Sequence, residues 1–187
     1  MKSAPASGFV FAGGQSSRFG SNKLLHIIGG IPMAVVVYNN LSKAVAHETS
    51  FVGPQLERPY FANYPWVTGE REGQGPLGAI CDVLEIATTE FVVFAPCDTP
   101  YFDSASFDQL IGMRSHHDVV VAADDQSPHL RHWLLSCWNV QSTRDHMLGS
   151  FASGERAIHR AINGLEVYDQ HFVSQVLTNV NTPSDVQ

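Results

Sequence analysis

Two stretches of this chain carry residue types suited to chemistry on phosphate. The first is Phe9-Val10-Phe11-Ala12-Gly13-Gly14-Gln15-Ser16-Ser17-Arg18-Phe19-Gly20-Ser21-Asn22-Lys23-Leu24-Leu25. Glycines placed directly after an apolar run let backbone N–H groups approach an anion closely, and successive N–H groups form an anion-binding concavity. Arg18 and Lys23 add full positive charge beside that turn. The spacing matches neither G-x-x-x-x-G-K-[ST] nor G-x-G-x-x-G, so the P-loop and dinucleotide fingerprints do not apply. The second stretch is Pro96-Cys97-Asp98-Thr99-Pro100, which ends the apolar run Phe91-Val92-Val93-Phe94-Ala95. A carboxylate framed by prolines at a strand end suits a hard cation such as Mg²⁺, which takes oxygen ligands and often only one or two carboxylates. Asp98 is therefore the first candidate for metal binding. The competing reading, Asp98 as a turn residue, follows from the turn preference of Asp.

Further candidates lie later. Asn179 and Asn181 alternate, so in an extended segment they point the same way and offer amide groups to a metal or substrate. Glu155 and Arg156 follow Gly154. His129 and His132 sit three apart and His116 adjoins His117, but no cysteine stands near enough to complete a zinc set. The aromatic cluster Tyr60, Phe61, Tyr64 and Trp66 reads as packing.

Positioning these residues requires alternating strands and helices. The sequence predicts buried strands at Phe9–Phe11, Thr49–Gly53, Phe91–Ala95, Asp118–Ala123 and Arg131–Trp138, with late strands at Leu165–Tyr168 and Gln175–Thr178. Helices are predicted over Met33–Ala46, Pro76–Thr88, Ser104–Arg114, Val140–Ser150 and Glu155–Ile162. Pro32 and Pro76 stand near helix starts and Asp103 is placed to cap one. Such alternation implies an α/β layered, mostly parallel sheet. Ligands then bind outside the carboxyl ends of the strands, where both signature loops fall.

Bulk composition narrows the classes. The chain has 187 residues, 44% hydrophobic and 16% charged, which suits one globular domain over 1–187. A net charge of −7 argues against nucleic acid as a partner while leaving room for a nucleotide bound by a local basic loop. Three scattered cysteines fit neither a disulfide framework nor a zinc ribbon and suggest reduced thiols in a cytoplasmic protein. The first residues lack the apolar core of a signal peptide, and no run is long enough for a membrane helix.

Together these segments resemble the molybdenum cofactor guanylyltransferase family. Ala12 to Lys23 match its A-G-G-x-S-x-R-[MF]-G-x-[DN]-K loop, Gly75-Pro76-Leu77 its G-P-L, and Pro96 to Tyr101 its P-C-D-T-P-[YF]. Gly154-Glu155-Arg156 match G-E-R, and Asn179 to Pro183 match N-V-N-T-P. The resemblance implies a three-layer α/β/α Rossmann-like nucleotidyltransferase fold with a mostly parallel mixed sheet. It implies Mg²⁺-dependent transfer of GMP from GTP to molybdopterin, with pyrophosphate released and a cofactor-delivery protein as a further partner. Carried onto this chain, Ala12, Gly13 and Gly14 line the nucleotide, Arg18 and Lys23 meet its phosphates, and Asp98 holds Mg²⁺. Arg156, Asn179 and Asn181 face the pterin.

The chain departs from the pattern in several places. Asn22-Lys23 replaces Asp-Lys, and Phe51-Val52-Gly53-Pro54-Gln55 lacks the Asn often found near the base. Thr68-Gly69-Glu70 stands where an Asp precedes G-P-L, with Glu70 as its substitute, and His132-Trp133 replaces His-Pro. These positions bear on base choice and on the pterin side. Two alternatives therefore stand beside the guanylyltransferase: a nucleotidyltransferase using CTP or another acceptor, such as cobinamide phosphate or a sugar phosphate, and a non-catalytic nucleotide- or cofactor-binding protein.

Overall fold

The computed structural model describes residues 5–13, 23–54, 59–181 and 185. Strand β1 (Ala6–Phe11) leads past a 3₁₀ turn at Lys23–Leu25 into a small hairpin, β2 (Ile27–Ile28) and β3 (Ile31–Pro32). Helix α1 (Met33–Ala44) follows, then β4 (Thr49–Val52) and β5 (Trp66–Val67). Helix α2 (Gly75–Ile86), β6 (Phe91–Pro96), α3 (Ser104–Gly112) and β7 (Val119–Asp124) come next. The described chain ends through β8 (Arg131–Asn139), α4 (Val140–Ala152), the short α5 (Ile158–Ala161) and β9 (Val167–Phe172).

The main sheet has the order β5-β4-β1-β6-β8-β7-β9. Every neighbouring pair is parallel except the two that β8 makes with β6 and β7. The reason is the short link from Asp124 to Arg131, since a parallel return needs a crossover of a dozen residues or more. The sheet is thus mostly parallel but mixed, as expected.

Period-two alternation builds two apolar layers. Val10, Val93, Ala95 and Val120 face α1 and α3, where they meet Val37, Leu41, Phe107 and Leu110. Phe9, Phe11, Phe94 and Val119 face α2, α4 and α5, meeting Leu77, Ile80, Met147 and Ile158. Helices on both faces of one sheet make a three-layer α/β/α architecture. Phe51, Phe61, Tyr64 and Trp66 interlock as packing, with Phe51 edge-on to Phe61 at 5.4 Å, whereas Tyr60 is exposed.

Three sequence expectations need correction. Gln175–Thr178 is a turn, with N–H groups bonding carbonyls three residues back, rather than a strand. The last strand begins at Val167 and runs to Phe172. The helix expected from Glu155 starts only at Ile158, because the Glu155 carboxylate accepts the N–H groups of Arg156 and Ala157, each at 2.8 Å. Cys81 and Cys137 are buried free thiols, and burial pushes them up to about 11 and about 12. Cys97 is only half-buried. Among the described residues no helix is long and apolar enough to cross a membrane.

Candidate active site

The carboxyl ends of β1, β4, β5 and β6 point the same way and deliver their loops to one edge of the sheet. β1 is followed by Ala12, whose N–H donates to the Val52 carbonyl at 2.9 Å. Gly53 then runs against it: a Cβ there would stand 3.2 Å from the Gly13 nitrogen, and its φ of +126° favours glycine. Gly53 in turn donates to the Val67 carbonyl at 3.0 Å, and the Thr68 hydroxyl donates to the Gly53 carbonyl at 3.4 Å. Ala12, Gly13, Gly53 and Thr68 thus form one backbone crossing, and exposed Glu70 stands two residues beyond it. Gly14, Arg18 and the Lys23 side chain lie outside the described residues, although the Lys23 backbone opens the 3₁₀ turn.

Asp98 sits half-buried in the turn after β6. The turn is held from within by the Thr99 hydroxyl, which donates to the Pro96 carbonyl at 3.1 Å. From outside, the Asn40 amide on α1 donates to the carbonyls of Pro100 at 3.4 Å and Phe102 at 3.3 Å. The Asp98 carbonyl accepts the N–H of Val180 at 2.8 Å. Val180 is fully buried while Asn179 and Asn181 are exposed, so the two asparagines flank the Asp98 turn on the same side without forming a strand.

β8 opens the sheet beside this turn. Its pairing with β6 runs only as far as Phe94–Ser136. Its pairing with β7 jumps from Val121–Ser136 to Ala122–His132, leaving Trp133, Leu134 and Leu135 as a bulge. Bulges redirect side chains and recur beside active sites. Here the bulge carries half-buried His132, whose buried Nε2 has no hydrogen-bond partner among the described residues. Burial lowers its pKa, opposed by the nearby carboxylates of Asp124 and Asp98. Asp124 is itself held below the usual carboxylate range, first by the Ser174 hydroxyl at 2.8 Å and then by the N–H of Gln126. His129 is exposed on the preceding turn.

Arg156 takes a different position from the asparagines. Its guanidinium lies 3.8 Å over the Phe151 ring, donates to the Phe151 carbonyl at 2.9 Å and reaches Gln74 at 3.4 Å, just before α2. The structure thus brings the Asp98 turn against the Asn179–Asn181 segment, and Arg156 against Gln74, four residues after Glu70. Sequence reasoning missed Asn40, whose role depends on a contact 60 residues away, and Asp124. It took Gly53 as the end of a strand and as part of a segment lacking an Asn, and not as a backbone crossing; the glycine directly after an apolar run was the available signal.

This fold and its glycine crossing, with a carboxylate at the end of the next central strand, define a nucleotidyltransferase. Residues 8–171 match the family described as the MobA-like NTP transferase domain, and the chain belongs to that family. It is 28% identical to a molybdenum cofactor guanylyltransferase of Mannheimia succiniciproducens over 96% of each chain. It is 29% identical to the protein of that name from Histophilus somni, over 97% of this chain and 94% of the other. Among solved structures, the molybdopterin-guanine dinucleotide biosynthesis protein A of Archaeoglobus fulgidus superposes with a TM-score of 0.76 at 20% identity, covering 96% of this chain and 94% of that one. The 2-C-methyl-D-erythritol 4-phosphate cytidylyltransferase of Thermus thermophilus superposes with a TM-score of 0.70 at 12% identity, over 95% and 94% of the two chains. At such identities these two structures speak for the fold alone.

Proposed function

We propose that this chain, acting as one domain over residues 1–187 in the cytoplasm, transfers GMP from GTP to molybdopterin and releases pyrophosphate. The relatives named for that activity span nearly the whole chain. The observation that carries the reading is the bond from the Val180 N–H to the Asp98 carbonyl, which joins the P-C-D-T-P and N-V-N-T-P segments into one surface beside the glycine crossing. Two of the most specific sequence matches thus meet in space.

In the proposed reaction a terminal phosphate oxygen of the pterin attacks the α-phosphorus of GTP. A new P–O bond forms there, and the bond to the oxygen bridging the α- and β-phosphates breaks, its electrons leaving with pyrophosphate. The attacking phosphate is already ionised, so no general base is required. Both reactants are anionic, so positioning and charge neutralisation dominate. Ala12, Gly13 and Gly14 line the nucleotide with Glu70, Arg18 and Lys23 stabilise the phosphates, and Arg156, Asn179 and Asn181 orient the acceptor.

Asp98 presents a hard carboxylate from a braced turn, to which the Asn179–Asn181 segment is joined through the Val180 N–H. A carboxylate so placed fits Mg²⁺, which accepts one or two carboxylates alongside substrate phosphates and water. Held by Asp98, the ion supplies Lewis-acid withdrawal of charge from the phosphates. Asp98→Asn tests the proposal: GTP- and Mg²⁺-dependent pyrophosphate release should fall about a hundredfold or more with the melting temperature kept. Unchanged turnover would remove Asp98 from the mechanism.

A further inference from the structure

Helix α2 buries Leu77, Ile80, Cys81, Val83 and Leu84, and among them the acidic Asp82, which is 6% exposed. A buried carboxylate is costly unless paired. Asp82 accepts the Arg71 guanidinium at 2.7 Å and the Arg71 backbone N–H at 3.2 Å. Arg71 also meets Glu85 at 2.7 Å, and these two carboxylates raise its pKa. The approach is tight: a Cβ on Gly69 would stand 2.0 Å from the Asp82 carboxylate. Well-packed apolar residues in place of such a pair are often neutral or stabilising, so stability does not explain it. What the pair does is fix where the segment from Thr68 to Gln74 lies.

That segment has functional contents at both ends. Thr68 is tied to Gly53 at the glycine crossing, and Glu70 follows it. Gln74 closes the other end, its N–H donating to the Arg71 carbonyl at 3.1 Å while its side chain meets Arg156. Both arginines use one ring: Arg71 lies 5.6 Å and Arg156 3.8 Å from the centroid of Phe151. Displacing either guanidinium changes the surface on which the other rests.

We propose that Asp82, Arg71 and Phe151 are positioning residues that hold Glu70 and Arg156 in a fixed mutual register, coupling the nucleotide edge of the cleft to its acceptor edge. The roles of Glu70 and Arg156 rest on the guanylyltransferase reading; the coupling itself does not. Two measurements separate them. Steady-state kinetics of Arg71→Gln with Mg²⁺, GTP and molybdopterin should show the KM for GTP rising about tenfold with kcat within about twofold, and Arg71→Lys should recover part of it. Phe151→Leu should raise the KM for both substrates. The Arg71→Gln/Phe151→Leu double variant should fall short of the sum of the two effects. Unchanged KM values, or a fall in kcat alone, would overturn the positioning role.

Hydrogen exchange on the protein without substrate tests the coupling directly. Arg71→Gln should speed exchange both in residues 68–74 and across 154–157, with the rest of the chain unchanged. Loosening confined to 68–74 would overturn the coupling. A wild-type protein that fails to turn over GTP would instead sink the guanylyltransferase reading, while the exchange result still decides whether the two segments move together.

Discussion

Gly53 occupies a backbone conformation that an L side chain resists, at the point where three strand ends cross. Its φ is +126°, and an added Cβ would press on Gly13 at 3.2 Å. Such strained positions cost a non-glycine residue about 1–3 kcal/mol. Gly53→Ala should therefore lower the melting temperature by several degrees and weaken GTP binding in the presence of Mg²⁺, because the strain is relieved by moving Gly13. Calorimetry and nucleotide titration check both parts; a variant with unaltered affinity would separate Gly53 from the nucleotide loop. Glycines, prolines and Asp98 were legible in sequence because their backbone chemistry is local. Asn40 and Asp82 were not. A polar side chain on a helix announces nothing until the fold shows that its partner is a turn carbonyl 60 residues on, or a guanidinium across a loop.

At the scale of elements, the start of α5 depends on one carboxylate. Glu155 pairs with Arg160 at 2.7 Å and accepts the N–H groups of Ala157 and Arg156, which in that order hold its pKa down to about 2. An unfolded chain binds this proton near pH 4.3, so it takes up more protons than the folded chain between about pH 5 and 2. The stability contributed by Glu155 is therefore present at pH 7 and lost as pH falls through that window. Glu155→Gln should melt below the wild type at pH 7, and the two melting temperatures should converge as pH drops toward 2. A gap that stays constant over the window would exclude the linkage. The same residue explains why the helix was over-extended in the sequence reading: a side chain that bonds its own backbone neighbours competes with helix formation. The central strands were legible because they are continuous apolar runs. The three-residue bulge in β8 was not, since Trp133, Leu134 and Leu135 look like any other apolar strand until their register with β7 is known.

For the molecule as a whole, the order of alternating elements made the layered architecture legible, but it did not place β8 between β6 and β7. That placement depends on which edge a short return can reach, and hydrophobic patterning carries no such information. The completed sheet sets the glycine crossing and the Asp98 turn at one edge of a chain of net charge −7. On the proposed reading, nucleotide binding rests on local contacts and a cation rather than on the overall field. A ligand that binds only the folded state adds about 2.7 kcal/mol at one hundred times its Kd. For a domain of this size each kcal/mol moves the melting temperature by about 2–4 °C, so GTP with Mg²⁺ at that excess should raise it by about 5–10 °C. GTP without Mg²⁺ should give less, Asp98→Asn should abolish the Mg²⁺-dependent part, and CTP and ATP should give little. A larger shift with CTP would transfer the chain to the cytidylyl branch, to which the departures at Phe51–Gln55 and Glu70 leave room. A shift independent of Mg²⁺ would locate the affinity in the glycine crossing and its basic residues, and would remove the cation from nucleotide binding.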